Sequence, residues 1–174
     1  MIKDLGVYIC SNLSWHPHVL ETVKKANRIA NTILHAFVCH NIDVYMRAFN
    51  AYVKPIIEYC CFVWSPTLCQ DIDLIENVQR AFTRRAFKKC LLPRLSYTDR
   101  LFFVKQQSVE YRRFNLSLLT LFKIYNKFVK CNILDTFVAH AHGYSLRGHC
   151  KKLFIPYCKN SIRKNFFTFR FLHV

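Results

Sequence analysis

Val19, Val23, Ala26, Ala30, Ile33 and Phe37 recur at intervals of three, four and seven residues, while Lys24, Arg28, Asn31 and His35 occupy the opposite face. That 3.6-residue period constrains the chain more than any other feature, because a strand would scatter the same apolar set over both of its faces. A long amphipathic helix is expected over 17–39. Asp43 reads as the N-cap of a second helix through Tyr45, Phe49, Tyr52 and Val53. Pro55 then breaks or kinks it, or opens the next helical turn with Ile56, Ile57 and Tyr59 buried. Asp71 reads as the cap of a helix over about 72–90, carrying Ile72, Ile75, Val78 and Phe82 on one side. Ser96-Tyr97-Thr98-Asp99 resembles a capping box for a short helix over about 97–104. Residues 108–131 form a further helix, apolar around most of its circumference and therefore expected to be largely buried.

Helical period is missing at both ends. Leu5 to Cys10 are β-prone, Ser11-Asn12 is turn-like, and Leu13 to Trp15 form the expected return strand. After Asp135 the period fades into β-prone pieces at Lys152 to Ile155 and Phe166 to Phe171. The expected fold is mainly α: a body of about five helices with a short N-terminal β-hairpin and an irregular, β-prone tail. Only 3 Gly and 5 Pro among 174 residues argue against a turn-rich barrel or sandwich, and leave no glycine-rich phosphate loop. Enzymes built on such loops are excluded.

Charge narrows the choice of partner. Lys and Arg total 26 against 10 Asp and Glu, a formal net charge of +16. Residues 1–70 carry 6 basic and 4 acidic side chains, whereas 71–174 carry 20 and 6, so the excess sits in the second part. Such an excess suits a polyanion, a nucleic acid or an anionic membrane face. Arg80, Arg84 and Lys88, at i, i+4 and i+8, line one helix face, with Arg85 and Lys89 beside them. Lys24 and Arg28 face away from the apolar stripe of the first helix. Nucleic-acid contacts are assigned to Lys24, Arg28, Arg80, Arg84, Arg85 and Lys88; the alternative is a merely solvated cationic surface.

Other chemistry is thin. Asp71 and Asp73 resemble half a metal pair but sit where a helix start favours carboxylates. Glu58, among aromatic and cysteine neighbours, is a candidate buried acid. His140, His142, His149, Cys150 and Cys158 form the densest His/Cys cluster, without the paired spacing of a zinc site, so no metal or other cofactor is expected. The nine cysteines are scattered, no C-x-x-C occurs and no signal peptide is recognisable, which points to a reducing compartment, nucleus or cytoplasm. No apolar run reaches membrane-spanning length, so no membrane partner is expected.

The ordered motifs resemble a known family. Lys3-Asp4-Leu5-Gly6-Val7-Tyr8-Ile9, then Ser11-Asn12-Leu13-Ser14-Trp15 and His18, are similar to the end of the reverse transcriptase palm in non-LTR, LINE-type Jockey/CR1-like retrotransposons. So are Tyr52-Val53-Lys54-Pro55-Ile56-Ile57-Glu58-Tyr59 and Val63-Trp64-Ser65-Pro66. The same register holds through Asp71, Ile72, Ile75, Glu76, Val78, Gln79, Arg80, Ala81 and Thr83-Arg84. It continues through Leu95-Ser96-Tyr97, Arg100-Leu101 and Glu110-Tyr111-Arg112-Arg113, to Arg147-Gly148-His149, Lys152-Leu153, Asn165-Phe166-Phe167 and Arg170.

The resemblance implies residues 1–15 as a remnant of the palm's last strands, with a hairpin that helps hold the primer end. It implies 16–134 as a helical thumb and connection region contacting template–primer duplex, and 135–174 as a basic tail. The family's catalytic aspartates, two of them adjacent, have no counterpart, since no Asp-Asp pair occurs. The Trp-Asn-x-Leu-Pro motif that follows the Arg170 equivalent in relatives has none either. The implied protein is a template–primer binding fragment of an RNA-directed DNA polymerase, truncated at both ends and inactive alone. A palm-bearing chain is its expected protein partner. Two alternatives stay open at this point: a degenerate element relic without function, and a metal-binding protein using the His/Cys cluster.

Overall fold

The computed structural model describes residues 1–130 and 157–170. The chain is mainly helical, with a short two-stranded antiparallel hairpin at its start. It divides into two compact units, Met1–Asn115 and Leu116–Val174.

The first unit opens with β1 (Ile2–Asp4) and β2 (Val7–Ile9), paired so that Asp4 faces Val7 and Ile2 faces Ile9. The turn is Leu5-Gly6, with φ of +43° and +87°. Positive φ at both positions is the type I′ form of a two-residue hairpin loop, and glycine supplies one of them without steric cost. This corrects the expected hairpin, whose turn was Ser11-Asn12 and whose return strand was Leu13 to Trp15. At that site the Leu13 N–H closes a separate tight turn onto the Cys10 carbonyl at 3.0 Å. Val7 is buried and anchors the hairpin.

Helix α1 spans His16–Ala36, with Pro17 in its first turn and Val19, Ala26, Ala30, Ile33 and Leu34 buried along one face. It stops before the expected end because Phe37 is extended. Helix α2 (Ile42–Ala48) starts two residues earlier than expected. Its cap is Asn41, whose side chain accepts from the Asp43 N–H at 2.9 Å, and Asp43 instead lies in the first turn near the positive end of the helix. A π-helical turn over Phe49–Val53 follows, then α3 (Lys54–Glu58) with Pro55 in its first turn. Pro55 has no N–H to give to residue 51 and its ring would strike that carbonyl. Widening the turn, with the Lys54 N–H bonding the Phe49 carbonyl, relieves the clash without ending the helical path.

Helix α4 (Cys69–Lys89) is capped at Leu68. Asp71, expected as the cap, lies inside the first turn, where burial and a 2.5 Å contact with His16 Nδ1 occupy its carboxylate. The contacts between α1 and α4 have one direction. His16 meets Asp71, Asn31 meets Arg85, and the Lys89 ammonium reaches the Leu34 carbonyl, so the two helices run parallel. The α2, π and α3 stretch is the return path that makes this possible. Its Tyr45, Phe49, Val53 and Ile57 are buried with Val78, Phe82 and Ala86 of α4, and the Phe49 and Phe82 rings lie 4.6 Å apart.

Helix α5 (Tyr97–Phe103) is capped by Ser96, which accepts from the Asp99 N–H at 3.2 Å, as its capping motif predicts. Helix α6 (Val109–Tyr125) crosses from the first unit into the second. Its buried positions are Val109, Arg113, Ser117 and Ile124, a single stripe, while Tyr111, Leu119 and Phe122 are exposed. The expectation of a largely buried helix over 108–131 is therefore corrected. Apolar composition around a helix fixes which faces can be buried, not which are.

In the second unit, α7 (Ser161–Lys164) and α8 (Phe167–Arg170) are short helices, so Phe166 to Arg170 is helical where a β-prone piece was expected. Hydrogen bonds from the Phe169 and Arg170 N–H groups to the Phe166 carbonyl satisfy the backbone locally, which needs no partner strand. The piece expected at Lys152 to Ile155 lies outside the described residues.

The buried polar contacts hold the start of α6 in place. The Glu76 carboxylate accepts from the Val109 N–H at 3.2 Å, the Glu110 N–H at 3.0 Å and the Tyr97 hydroxyl. It thus serves as the N-terminal cap of α6 from a different helix. Glu76→Ala leaves two backbone donors and a phenol without their acceptor, and should cost about 2–4 kcal/mol. Urea denaturation would read this as a lower midpoint; an unchanged midpoint would contradict the assignment.

Candidate nucleic-acid interface

Parallel docking puts the outward faces of α1 and α4 side by side. Across the seam Arg85 Nη1 donates to Asn31 Oδ1. On α1, Arg28 lies three residues and Lys24 seven residues before Asn31, on the same face. On α4, Lys88 follows Arg85 by three and Arg84 by four. Lys24, Arg28, Arg85, Lys88 and Arg84 therefore form one connected run of neighbours over two helices, all of them exposed. The charges are lightly held. Lys24 Nζ lies 3.8 Å from Glu21 Oε1 in a solvent-exposed i, i+3 pair, a geometry worth little in water.

Arg80 behaves differently, although sequence spacing puts it in the same stripe. Its guanidinium donates to Asn77 Oδ1 at 2.7 Å, lies 3.9 Å from Asp73, and stacks 5.2 Å from the centre of the Tyr97 ring. It is turned toward α5 and away from the α1–α4 seam. Arg100 faces the same region from beneath. It is buried and donates to Thr83 Oγ1 at 3.3 Å, to the Leu95 carbonyl at 2.8 Å and to the Arg80 carbonyl at 3.3 Å. Arg100 is a strut between α4 and α5. Lys89 has a similar duty, donating to the Leu34 and Phe37 carbonyls at the C-terminus of α1, where a cation suits the helix dipole.

Sequence reasoning missed two cations that lie close to Lys24 and Arg28. Lys25 and Lys3 line a groove of about 740 Å³ with them, between the hairpin, α1 and α3. Lys25 was legible from its neighbour in the sequence. Lys3 was not, because only the packing of the hairpin brings it to α1. Tyr8 and Tyr59 also line this groove, and the Tyr59 hydroxyl is fixed on the Leu5 carbonyl at 2.9 Å. Behind it lies His18, which accepts from the Tyr8 N–H through Nδ1 at 3.3 Å and meets the Trp64 ring edge-on at 4.5 Å. Burial, and then the Arg113 guanidinium, hold its pKa down to about 4, so it is neutral at physiological pH and adds no charge to the face.

The remaining candidates resolve into structural pairs. Glu58 is bound by Arg112, through Nε and through Nη2 at 3.3 Å. Asp71 is held by His16, and Asp73 is exposed. Among the described residues no group of three His, Cys, Asp or Glu side chains converges as metal ligands. His140, His142, His149 and Cys150 lie outside the described residues, and Cys158 is buried. No helix among the described residues is long and apolar enough to cross a membrane.

Comparison with known proteins finds 28% identity over 112 residues to an uncharacterized protein of Caenorhabditis elegans. The match covers 64% of this chain and 57% of that relative. No family model matches, and no solved structure matches.

The geometry separates the arginines of α4 by duty. Arg80→Ala should lower stability by about 1 kcal/mol, through loss of the stacked and hydrogen-bonded guanidinium. Arg84→Ala and Lys88→Ala should stay within about 0.5 kcal/mol of the parent. Equal effects for all three in urea denaturation would refute the division.

Proposed function

We propose that this chain is a template–primer binding segment resembling the thumb region of non-LTR retrotransposon reverse transcriptases, and that it does not itself catalyse polymerisation. The observation that carries the reading is the connected run Lys24, Arg28, Arg85, Lys88 and Arg84, which spans two parallel helices. Flexible cations at such spacing neutralise successive phosphates without reading base edges, so affinity should be strongly salt-dependent and weakly sequence-dependent. The ordered family motifs support the same reading independently of charge. The second half of the reading is supported by chemistry: two-metal phosphoryl transfer needs a carboxylate set, and among the described residues Asp71, Glu58 and Glu76 are engaged by His16, Arg112 and the start of α6.

Fluorescence anisotropy with a labelled RNA–DNA hybrid at several salt concentrations tests the binding. Five neutralised phosphates should give a slope of log affinity against log salt of about −4 to −5, taking the B-form coefficient as a guide. The fourfold variant Lys24→Ala, Arg28→Ala, Arg84→Ala, Lys88→Ala should flatten it by about 3 to 4 units, with Arg80→Ala leaving it unchanged. An unaltered slope in a fourfold variant that still melts cooperatively would reduce the run to a solvated surface. Primer extension on a homopolymer template with Mg²⁺ or Mn²⁺ should give no product above a heat-killed control; extension would overturn the second half of the proposal.

A further inference from the structure

On another part of the first unit, a polar cavity of about 350 Å³ is lined by Asn50, Lys54, Lys105, Gln106, Gln107 and Arg112. We propose that it is an anion site that takes a phosphate group, either inorganic phosphate or the terminal phosphate monoester of a larger molecule. Its lining has three cations, three amides and no carboxylate. The nearest acid, Glu58, balances Arg112 in a two-point contact and leaves the other two charges over.

Lys54 is the centre of the case. It is only 6% exposed, yet among the described residues its ammonium has one hydrogen-bond acceptor, Gln106 Oε1, for three N–H donors, and no carboxylate at ion-pair distance. A buried lysine so placed is costly unless something else completes its shell. Burial, and then Arg112, push its pKa below the ordinary lysine value, and Glu58 offsets this only in part. A phosphate supplies both that charge and acceptors for the spare donors.

Two backbone features converge on the same cavity. The π turn carries Asn50 and delivers Lys54 at its end, so the bulge that accommodates Pro55 also sets the spacing of two lining residues. Lys105 adopts φ of +51°, which an L-residue adopts at a steric cost. It sits on the short link between α5 and α6, whose far end is fixed by Glu76, and the Gln107 carbonyl is held by Gln79 Nε2 at 2.9 Å. The amide-rich wall is therefore braced from α4 before any ligand arrives. The volume suits one small anion with its waters and is too small for a duplex.

Thermal melts of the full chain in inorganic phosphate, against chloride at matched ionic strength, test the site. Phosphate should raise the Tm by roughly 5 °C at about a hundred times Kd, and the rise should follow the logarithm of its concentration above Kd. Lys54→Met, which fills the buried volume without charge, should abolish the shift. Lys105→Ala, at an exposed position that decides the case if Lys54→Met fails to fold, should need about tenfold more phosphate for the same shift. A 5′-phosphorylated oligonucleotide compared with its 5′-hydroxyl twin identifies the source: stronger binding of the phosphorylated form, lost in the lysine variants, assigns a terminal phosphate. A response to inorganic phosphate alone assigns the free anion. The fourfold variant of the α1–α4 face should keep the phosphate response, so failure of duplex binding and failure of this site are separable. No response in either arm, or the same response in Lys105→Ala as in the parent, would overturn the site.

Discussion

The parallel docking of α1 on α4 is the constraint on which the rest of the first unit depends. Two sequence-distant helices of equal length can lie side by side in the same direction only if the chain between them returns along the body, and α2, the π turn and α3 are that return. Small residues on α1, Ala26 and Ala30, permit close approach, while Val78, Phe82 and Ala86 of α4 meet the buried face of the return path. Apolar burial supplies the attraction but little direction. Direction comes from the polar contacts along the seam: His16 with Asp71 at one end, Asn31 with Arg85 beyond the middle, and Lys89 on the last carbonyls of α1 at the other. An antiparallel or shifted packing would leave the buried Asp71 carboxylate without its histidine.

A second layer of buried polar groups fixes the elements that follow. Arg113 lies 3.9 Å from the Trp64 ring and donates to the Trp64 carbonyl at 2.9 Å and to the Ile57 carbonyl. It ties the start of α6 to the end of α3, as Glu76 ties it to α4. The two contacts hold the 104–108 link between fixed points, which is why a cavity rather than a collapsed loop faces Lys54. The same economy explains how a chain rich in cations keeps its core: Arg100, Arg113 and Lys89 spend their charge on carbonyls, while Lys24, Arg28, Arg84, Arg85 and Lys88 stay exposed on the outward faces of α1 and α4.

Much of the helical fold was legible because amphipathic period survives tertiary packing: α1, α4 and α5 lie within a few residues of their expected spans. What was not legible depended on competition between neighbouring residues for one geometric role. Asn41 and Asp43 both suit a helix cap, and the residue two positions upstream won; Leu5-Gly6 and Ser11-Asn12 both suit a turn, and the pair with a glycine closed the hairpin. Asp71 carries a capping side chain, but a histidine 55 positions away claimed it. The candidate face was half legible for the same reason. Spacing alone grouped Arg80 with Arg84 and Lys88, since no local pattern reveals that Tyr97 and Asn77 hold it. The link between the two helices was invisible until Asn31 and Arg85 met. No local pattern marked Lys54 for burial, which comes with its place at the end of the π turn.

In the proposed function, α1 and α4 act as one cationic surface toward nucleic acid. The most direct measurement is lysine acetylation read by mass spectrometry, with and without an RNA–DNA hybrid bearing 5′-hydroxyl ends. Lys24 and Lys88 should be protected together, at the same hybrid concentration, while Lys105 stays reactive. Protection of one helix without the other, or a uniform loss of reactivity at all three lysines, would contradict it.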